Sequence, residues 1–159
     1  MRNNTYYCVV GLSYKNADLS IRGRFSLNKS KADMLLARAK ADGVEELMVI
    51  STCNRTELMG RVENTELLIN YLCTFSGGDT KIFSDKGYVL TNKAALNHVF
   101  RVGCGLESQI VGDFEIIGQL KKSFQNSKKH QMVNGFSERL VNAVIQSSKR
   151  IKTETKLSS

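Results

Sequence analysis

The sequence predicts an α+β fold: a small, mostly antiparallel sheet with packed helices, followed by a long C-terminal helix. Three observations carry that prediction. Strand-like apolar runs fill the first half of the 159 residues, and 3.6-residue periodicity dominates the second half. Two of the strands are joined by the tight link Cys53-Asn54-Arg55. No internal repeat or low-complexity segment interrupts the pattern, and proline is absent.

Residues 6–12 (Tyr-Tyr-Cys-Val-Val-Gly-Leu) are apolar on both faces, the mark of a central strand. Residues 30–41 have helical spacing, with Leu35, Leu36 and Ala39 on one side and Gly43 placed to stop the helix. A second strand spans 46–52. The next, over 56–63, alternates Leu58, Gly60 and Val62 with Glu57, Met59 and Arg61, which predicts one wetter face. Residues 65–75 read as a helix, Gly77-Gly78-Asp79 as a turn and residues 88–90 as a short strand. Asn92 is placed to cap a helix over 92–102 that carries Leu96, Val99 and Phe100 on one face. After a glycine-punctuated stretch come helices over 116–129 and 137–156. The last has a stripe of Leu140, Val141, Val144, Ile145, Ser148 and Ile151.

At 42% hydrophobic and 24% charged residues, the chain can bury a core and is no disordered tail. No apolar run approaches the ~20 residues of a membrane span, and Met1-Arg2-Asn3-Asn4 lacks an apolar signal core. The four cysteines (Cys8, Cys53, Cys73, Cys104) form no Cys-x-x-Cys pair, which favours free thiols in a reducing cytoplasm. The net charge of +8 is uneven. Residues 1–118 hold 14 Lys/Arg against 13 Asp/Glu, whereas residues 119–159 hold 9 against 2, a net of +7. Such an arm is either a solvated helix surface or a face for polyanions.

Cys53 is the most informative residue. It lies where an apolar strand runs out, with Arg55 two positions on. Thiolate is the reactive form of cysteine, nearby cations favour it, and strand-end turns leave amides free to hold an oxyanion. The plainer reading is one more small hydrophobe, like Cys8. His98 falls at the margin of an apolar helix face, where it either reaches a cleft or makes a hydrogen bond at the core edge. His130, among Lys128, Lys129 and Gln131, reads as solvent-exposed. The glycines match no phosphate-cradling loop, since Gly103-Cys104-Gly105 follows a helix rather than a strand. The sequence therefore shows no nucleotide-cofactor site, and no cluster has metal-ligand spacing.

Longer motifs then bear on these alternatives. Ser51-Thr52-Cys53-Asn54-Arg55-Thr56-Glu57 resembles the nucleophile motif of the glutamyl-tRNA reductase family, and residues 10–17 (Val-Gly-Leu-Ser-Tyr-Lys-Asn-Ala) resemble its opening strand and loop. His98-Val99-Phe100-Arg101-Val102, Gly105-Leu106-Glu107-Ser108, Gly112 and Ile117-Gly118-Gln119 resemble its second signature. Arg150-Ile151-Lys152-Thr153-Glu154-Thr155 resembles the end of its connector helix. The matches run in family order along nearly the whole chain.

The resemblance implies that Cys53 takes the glutamyl group of glutamyl-tRNA as a thioester. It also implies that Thr52, Asn54, Arg55, Ser108 and Gln119 line the substrate pocket, with His98 important for activity. An aminoacyl ester is already activated, so a thiolate can attack it without a full triad, and an arginine can hold a substrate carboxylate bidentately. Where the family has Gly-Glu-Pro-Gln, this chain has Gly112-Asp113-Phe114-Glu115. Asp113, Phe114 and Glu115 carry over as binding positions, though an added carboxylate there would repel a glutamyl group unless a cation compensates.

The resemblance further implies that residues 1–135 form the catalytic domain and that residues 136–159 begin a connector. That connector would lead to a nicotinamide-binding Rossmann domain and a helical dimerisation domain, neither of which lies within these 159 residues. NADPH reduction to glutamate-1-semialdehyde for tetrapyrrole synthesis, homodimerisation and docking of glutamate-1-semialdehyde aminotransferase would belong to the longer enzyme. The piece itself would still form the thioester. The rival expectations are a non-catalytic tRNA- or RNA-binding module that uses the basic arm, and a regulatory piece that docks on another enzyme.

Overall fold

The computed structural model describes residues 4–158, with side chains through Thr155. Met1, Arg2 and Asn3 of the amino-terminal segment, and Ser159 at the other end, lie outside the described residues. Strands β1 (Tyr6–Ser13), β2 (Glu46–Ser51), β3 (Arg55–Val62) and β4 (Tyr88–Thr91) form one sheet in the order β2-β3-β1-β4, and every pairing is antiparallel. Helices α1 (Leu19–Arg24), α2 (Lys29–Ala41), α3 (Thr65–Ser76) and α4 (Thr80–Lys86) belong to the first half. Helices α5 (Asn92–Gly103), α6 (Glu115–Lys129) and α7 (Gly135–Ser158) follow β4. The α+β expectation, with its long final helix, holds.

Alternation along the strands feeds two cores, one on each face of the sheet. Val10, Leu12, Leu47, Val49, Leu58 and Val62 point to the α2–α3 side. Tyr7, Val9, Met48, Ile50 and Met59 point to α5, α6 and α7. At about 1.5–3 kcal/mol per fully buried large apolar side chain, both faces are held by burial, and so both faces of β1 and β2 read as apolar.

The face of β3 expected to be wetter is covered. Glu57 and Met59 are buried and Arg61 is half-buried, because α5 and α6 pack over the side that alternation assigned to water. The sequence reading also passes over α1 and α4. These helices have six and seven residues, too short for periodicity to register, yet Asp18 and Asp79 cap them by accepting backbone N–H groups at 2.9 and 2.7 Å. Asn92 is not a cap. Thr91 holds that position without a side-chain bond, while Asn92 takes a left-handed φ of 54° directly after β4. No helix among the described residues is long and apolar enough to cross a membrane.

A candidate acyl-transfer cleft at the end of the β2–β3 hairpin

The hairpin closes through Thr52, Cys53 and Asn54, and Thr52 organises it. Its amide donates to the Arg55 carbonyl (2.8 Å), and its Oγ1 accepts from the amides of Asn54 (3.1 Å) and Arg55 (3.3 Å). Two neighbours fix the outside of the loop. The Tyr14 amide donates to the Asn54 carbonyl at 2.8 Å, and Arg22 Nε of α1 donates to the Cys53 carbonyl at 2.9 Å. Cys53 is left exposed at the apex, a free thiol. Its own amide meets no acceptor among the described residues, so a donor stands beside the sulfur.

The opposite wall is the segment between α5 and α6. Gly105, at φ 78°, turns it back. A Cβ at Gly105 would lie 2.5 Å from the Asp113 carbonyl, so the closeness of the two strands of this loop requires glycine. Glu107 ties the loop to the body through Lys15 and through Arg101 Nε at 2.9 Å. Burial alone would raise the Glu107 carboxyl, but hydrogen bonds from Lys15 and Arg101, and their charges, hold it down at about 2. Gln109 Nε2 then donates to Asn54 Oδ1 at 2.9 Å and bridges the two walls.

Between the walls lies a cleft of about 270 Å³, room for a small acyl group. It gathers Thr52, Cys53, Asn54, Arg55, Ser108, Asp113, Glu115 and Gln119, eight of the ten site positions singled out in the sequence. The other two lie elsewhere. Phe114 turns away toward the final helix, where Lys152 Nζ stands 5.8 Å from its ring centroid. His98 lies behind the cleft instead of lining it.

What His98 touches is Glu57. This carboxylate, with no exposed surface, meets His98 Nε2 and accepts from the Tyr88 hydroxyl at 2.6 Å, while Arg55 Nη1 stands 3.5 Å from its other oxygen. Burial by itself would push the Glu57 carboxyl up. The bond and charge of His98, the charge of Arg55 and the Tyr88 hydroxyl outweigh it and hold the carboxyl below its ordinary range. Arg55 Nη2 also donates to the Glu107 carbonyl at 2.5 Å. Two of the five guanidinium N–H donors are therefore committed to the protein, and Arg55 lines the cleft.

The sequence reading missed Arg22, Glu57 and Glu107 as parts of this site. Glu57 had two visible signals, its place at the end of the Ser51–Glu57 motif and a carboxylate inside an apolar strand. Glu107 stood inside the Gly105–Ser108 signature without a role, and Arg22 acts through a tertiary contact that no local pattern encodes. His130, expected in solvent, is half-buried and bonds Asp33 Oδ1 at 3.0 Å. The altered Asp113-Phe114-Glu115 segment is partly neutralised by the backbone. Asp113 Oδ1 accepts the Glu115 amide at 3.0 Å, and Glu115 opens α6, where the helix dipole favours negative charge.

Residues 10–155 match the family described as glutamyl-tRNAGlu reductase, N-terminal domain. Glutamyl-tRNA reductase 2 of Flavobacterium johnsoniae is 53% identical over 158 residues, 99% of this chain and 36% of that protein. The glutamyl-tRNA reductase of Christiangramia forsetii is 52% identical over 153 residues, 96% of this chain and 37% of its own length. The solved glutamyl-tRNA reductase from Methanopyrus kandleri superposes with a TM-score of 0.80 at 22% identity, covering 96% of this chain and 36% of that one, a likeness of fold. The chain spans little more than a third of the length of these relatives.

Proposed function

Because the chain belongs to the family of glutamyl-tRNAGlu reductase N-terminal domains, we propose that Cys53 is the nucleophile that takes the glutamyl group from glutamyl-tRNA. The observation that supports this most is an exposed thiol at the apex of a rigid turn, facing a cleft shared with Arg55 and with an unpaired amide beside it.

In this reading the thiol first gives its proton to solvent. The sulfur then attacks the ester carbonyl carbon, forming the S–C bond and moving an electron pair onto oxygen. The Cys53 amide donates to that oxyanion. Collapse breaks the C–O bond to the terminal ribose, whose oxygen leaves as a hydroxyl after taking a proton from water. A thioester remains, with no change in oxidation state. The free N–H groups of Arg55 hold the glutamyl carboxylate, and Glu57, fixed by His98 and Tyr88, holds Arg55. His98 is thus a positioning residue.

We assign the NADPH-dependent reduction to glutamate-1-semialdehyde, and with it tetrapyrrole (porphyrin and heme) synthesis, to the longer protein. The described residues do not fit a dinucleotide. The sheet has no parallel strand-helix-strand unit, and no described glycine lies between a strand and the helix that follows it. No step through that cofactor is derived for them. Homodimerisation and docking of the aminotransferase also belong to the longer protein in this reading. Residues 1–135 then act as the acyl-taking unit, and residues 136–159 begin the connector. The free thiols support a cytoplasmic setting.

The test is incubation of this chain with radiolabelled glutamyl-tRNA. The parent acquires acid-stable, hydroxylamine-labile label and slowly releases glutamate, while Cys53→Ser does neither. Equal label or release from the two proteins would overturn the nucleophile assignment. It would favour the rival view, in which the chain binds RNA and the cysteine is inert.

A further inference from the structure

A groove of about 490 Å³ runs alongside the outer edge of β2, between α2 and α6, and it adjoins the cysteine cleft. Ser51 and Gln119 line both. Charge distinguishes the two spaces. The cleft carries Asp113 and Glu115 beside Arg55, whereas the groove is lined by Lys29, Lys121, Lys122 and Lys129 with no carboxylate. Lys29 is taken by Asp33 at 3.0 Å. The other three are exposed and form no ion pair among the described residues. Lys121 and Lys129 stand eight residues apart on one rib of α6, and Lys122 lies on the next.

The groove floor argues against an extended peptide. An edge strand recruits a peptide through its unpaired backbone groups. Here the Leu47 amide already donates to the Met132 carbonyl (3.0 Å), and the Val49 carbonyl already accepts from Ser123 Oγ (2.5 Å). What remains on offer is a row of ammonium groups and side-chain amides.

We propose that this groove holds the backbone phosphates of the single-stranded 3′ end of the acylated RNA and so delivers the acyl ester to Cys53. The inference rests on the reading of the cleft as an acyl-transfer site. From Gln119 to Lys129 the helix rises about 15 Å at ~1.5 Å per residue. At one phosphate per ~3.4 Å of a stacked strand, that length takes about four nucleotides.

The test is a thermodynamic cycle read by filter binding. Uncharged glutamate tRNA, intact or lacking its last four nucleotides, is titrated with the parent chain and with the triple variant Lys121→Ala/Lys122→Ala/Lys129→Ala. These exposed positions leave folding intact, which circular dichroism checks. The parent loses about tenfold in affinity when the tail is removed. The triple variant binds intact RNA about tenfold more weakly and is indifferent to the tail. Its salt slope for intact RNA falls by about 2, at ~0.7 per single-strand phosphate contact. Independent, multiplying effects of the tail and the lysines would overturn the proposal. So would an equal loss from Lys81→Ala/Lys86→Ala/Lys93→Ala on other exposed surfaces, or a parent that ignores the tail. Cys53→Ser separates the two readings, because the nucleophile is read by acylation and the groove by the coupling between tail and lysines, which this variant retains. Acylation that survives Cys53→Ser would count against the nucleophile, whatever the cycle shows.

Discussion

Cys53 owes its accessibility to the residues on either side of it. Thr52 spends its hydroxyl on two amides of the turn, and Arg22 holds the Cys53 carbonyl from outside, so the side chain between them has nowhere to pack. The other three cysteines are buried. Burial pushes the Cys8 thiol up to about 12 and also raises those of Cys73, where Asp79 adds to the effect, and Cys104. Iodoacetamide at neutral pH is therefore expected to label Cys53 at least tenfold faster than any other cysteine of the native chain, with all four reacting in denaturant. Peptide mapping by mass spectrometry reads this directly. Comparable labelling of Cys8 would mean that the strand is not buried as described.

At the scale of elements, the final helices decide how the cleft wall is held. Gly103 ends α5 against α7 so closely that an added Cβ would sit 2.2 Å from Val144 Cγ1. Gly103→Ala should cost about 1–3 kcal/mol through overpacking, measured as a lower urea midpoint. An unchanged midpoint would show that the two helices can slide apart. This close crossing was not legible in the sequence, which displayed Gly103 only as one of several glycines in a row. The helices themselves were legible, since their apolar stripes repeat over three turns or more. So was the cysteine's place, because it follows the end of an apolar strand where a tight turn forms. Glu57 misled the reading of β3, since alternation marks a charged side chain as wet while the fold buries it with Arg55, His98 and Tyr88. Partners so far apart in the chain leave no periodic trace.

Over the whole molecule, stability and charge take different places. Two cores enclose the sheet, and three carboxylates that tie segments together are held below their ordinary range. Hydrogen bonds from Asn126, Lys29 and His130 hold Asp33 at about 2, Glu107 lies there too, and buried Glu57 is also lowered. For groups depressed in the folded state, the stabilisation is complete above the unfolded value of about 4 and is lost as pH falls toward 2. The melting temperature should hold level above pH 5 and drop steeply below pH 4, with a shallower drop in Glu107→Gln. Equal acid slopes in the two proteins would contradict the role given to Lys15 and Arg101. The excess positive charge, by contrast, lies on α6 and α7.

The most direct measurement is to trap the acylated chain with acid during incubation with glutamyl-tRNA and to locate the adduct by tandem mass spectrometry. The expected result is the mass of one glutamyl group on the peptide that contains Cys53, absent after hydroxylamine and absent from Cys53→Ser. A glutamyl group found on another side chain, or none at all on a chain that still binds the RNA, would contradict the account.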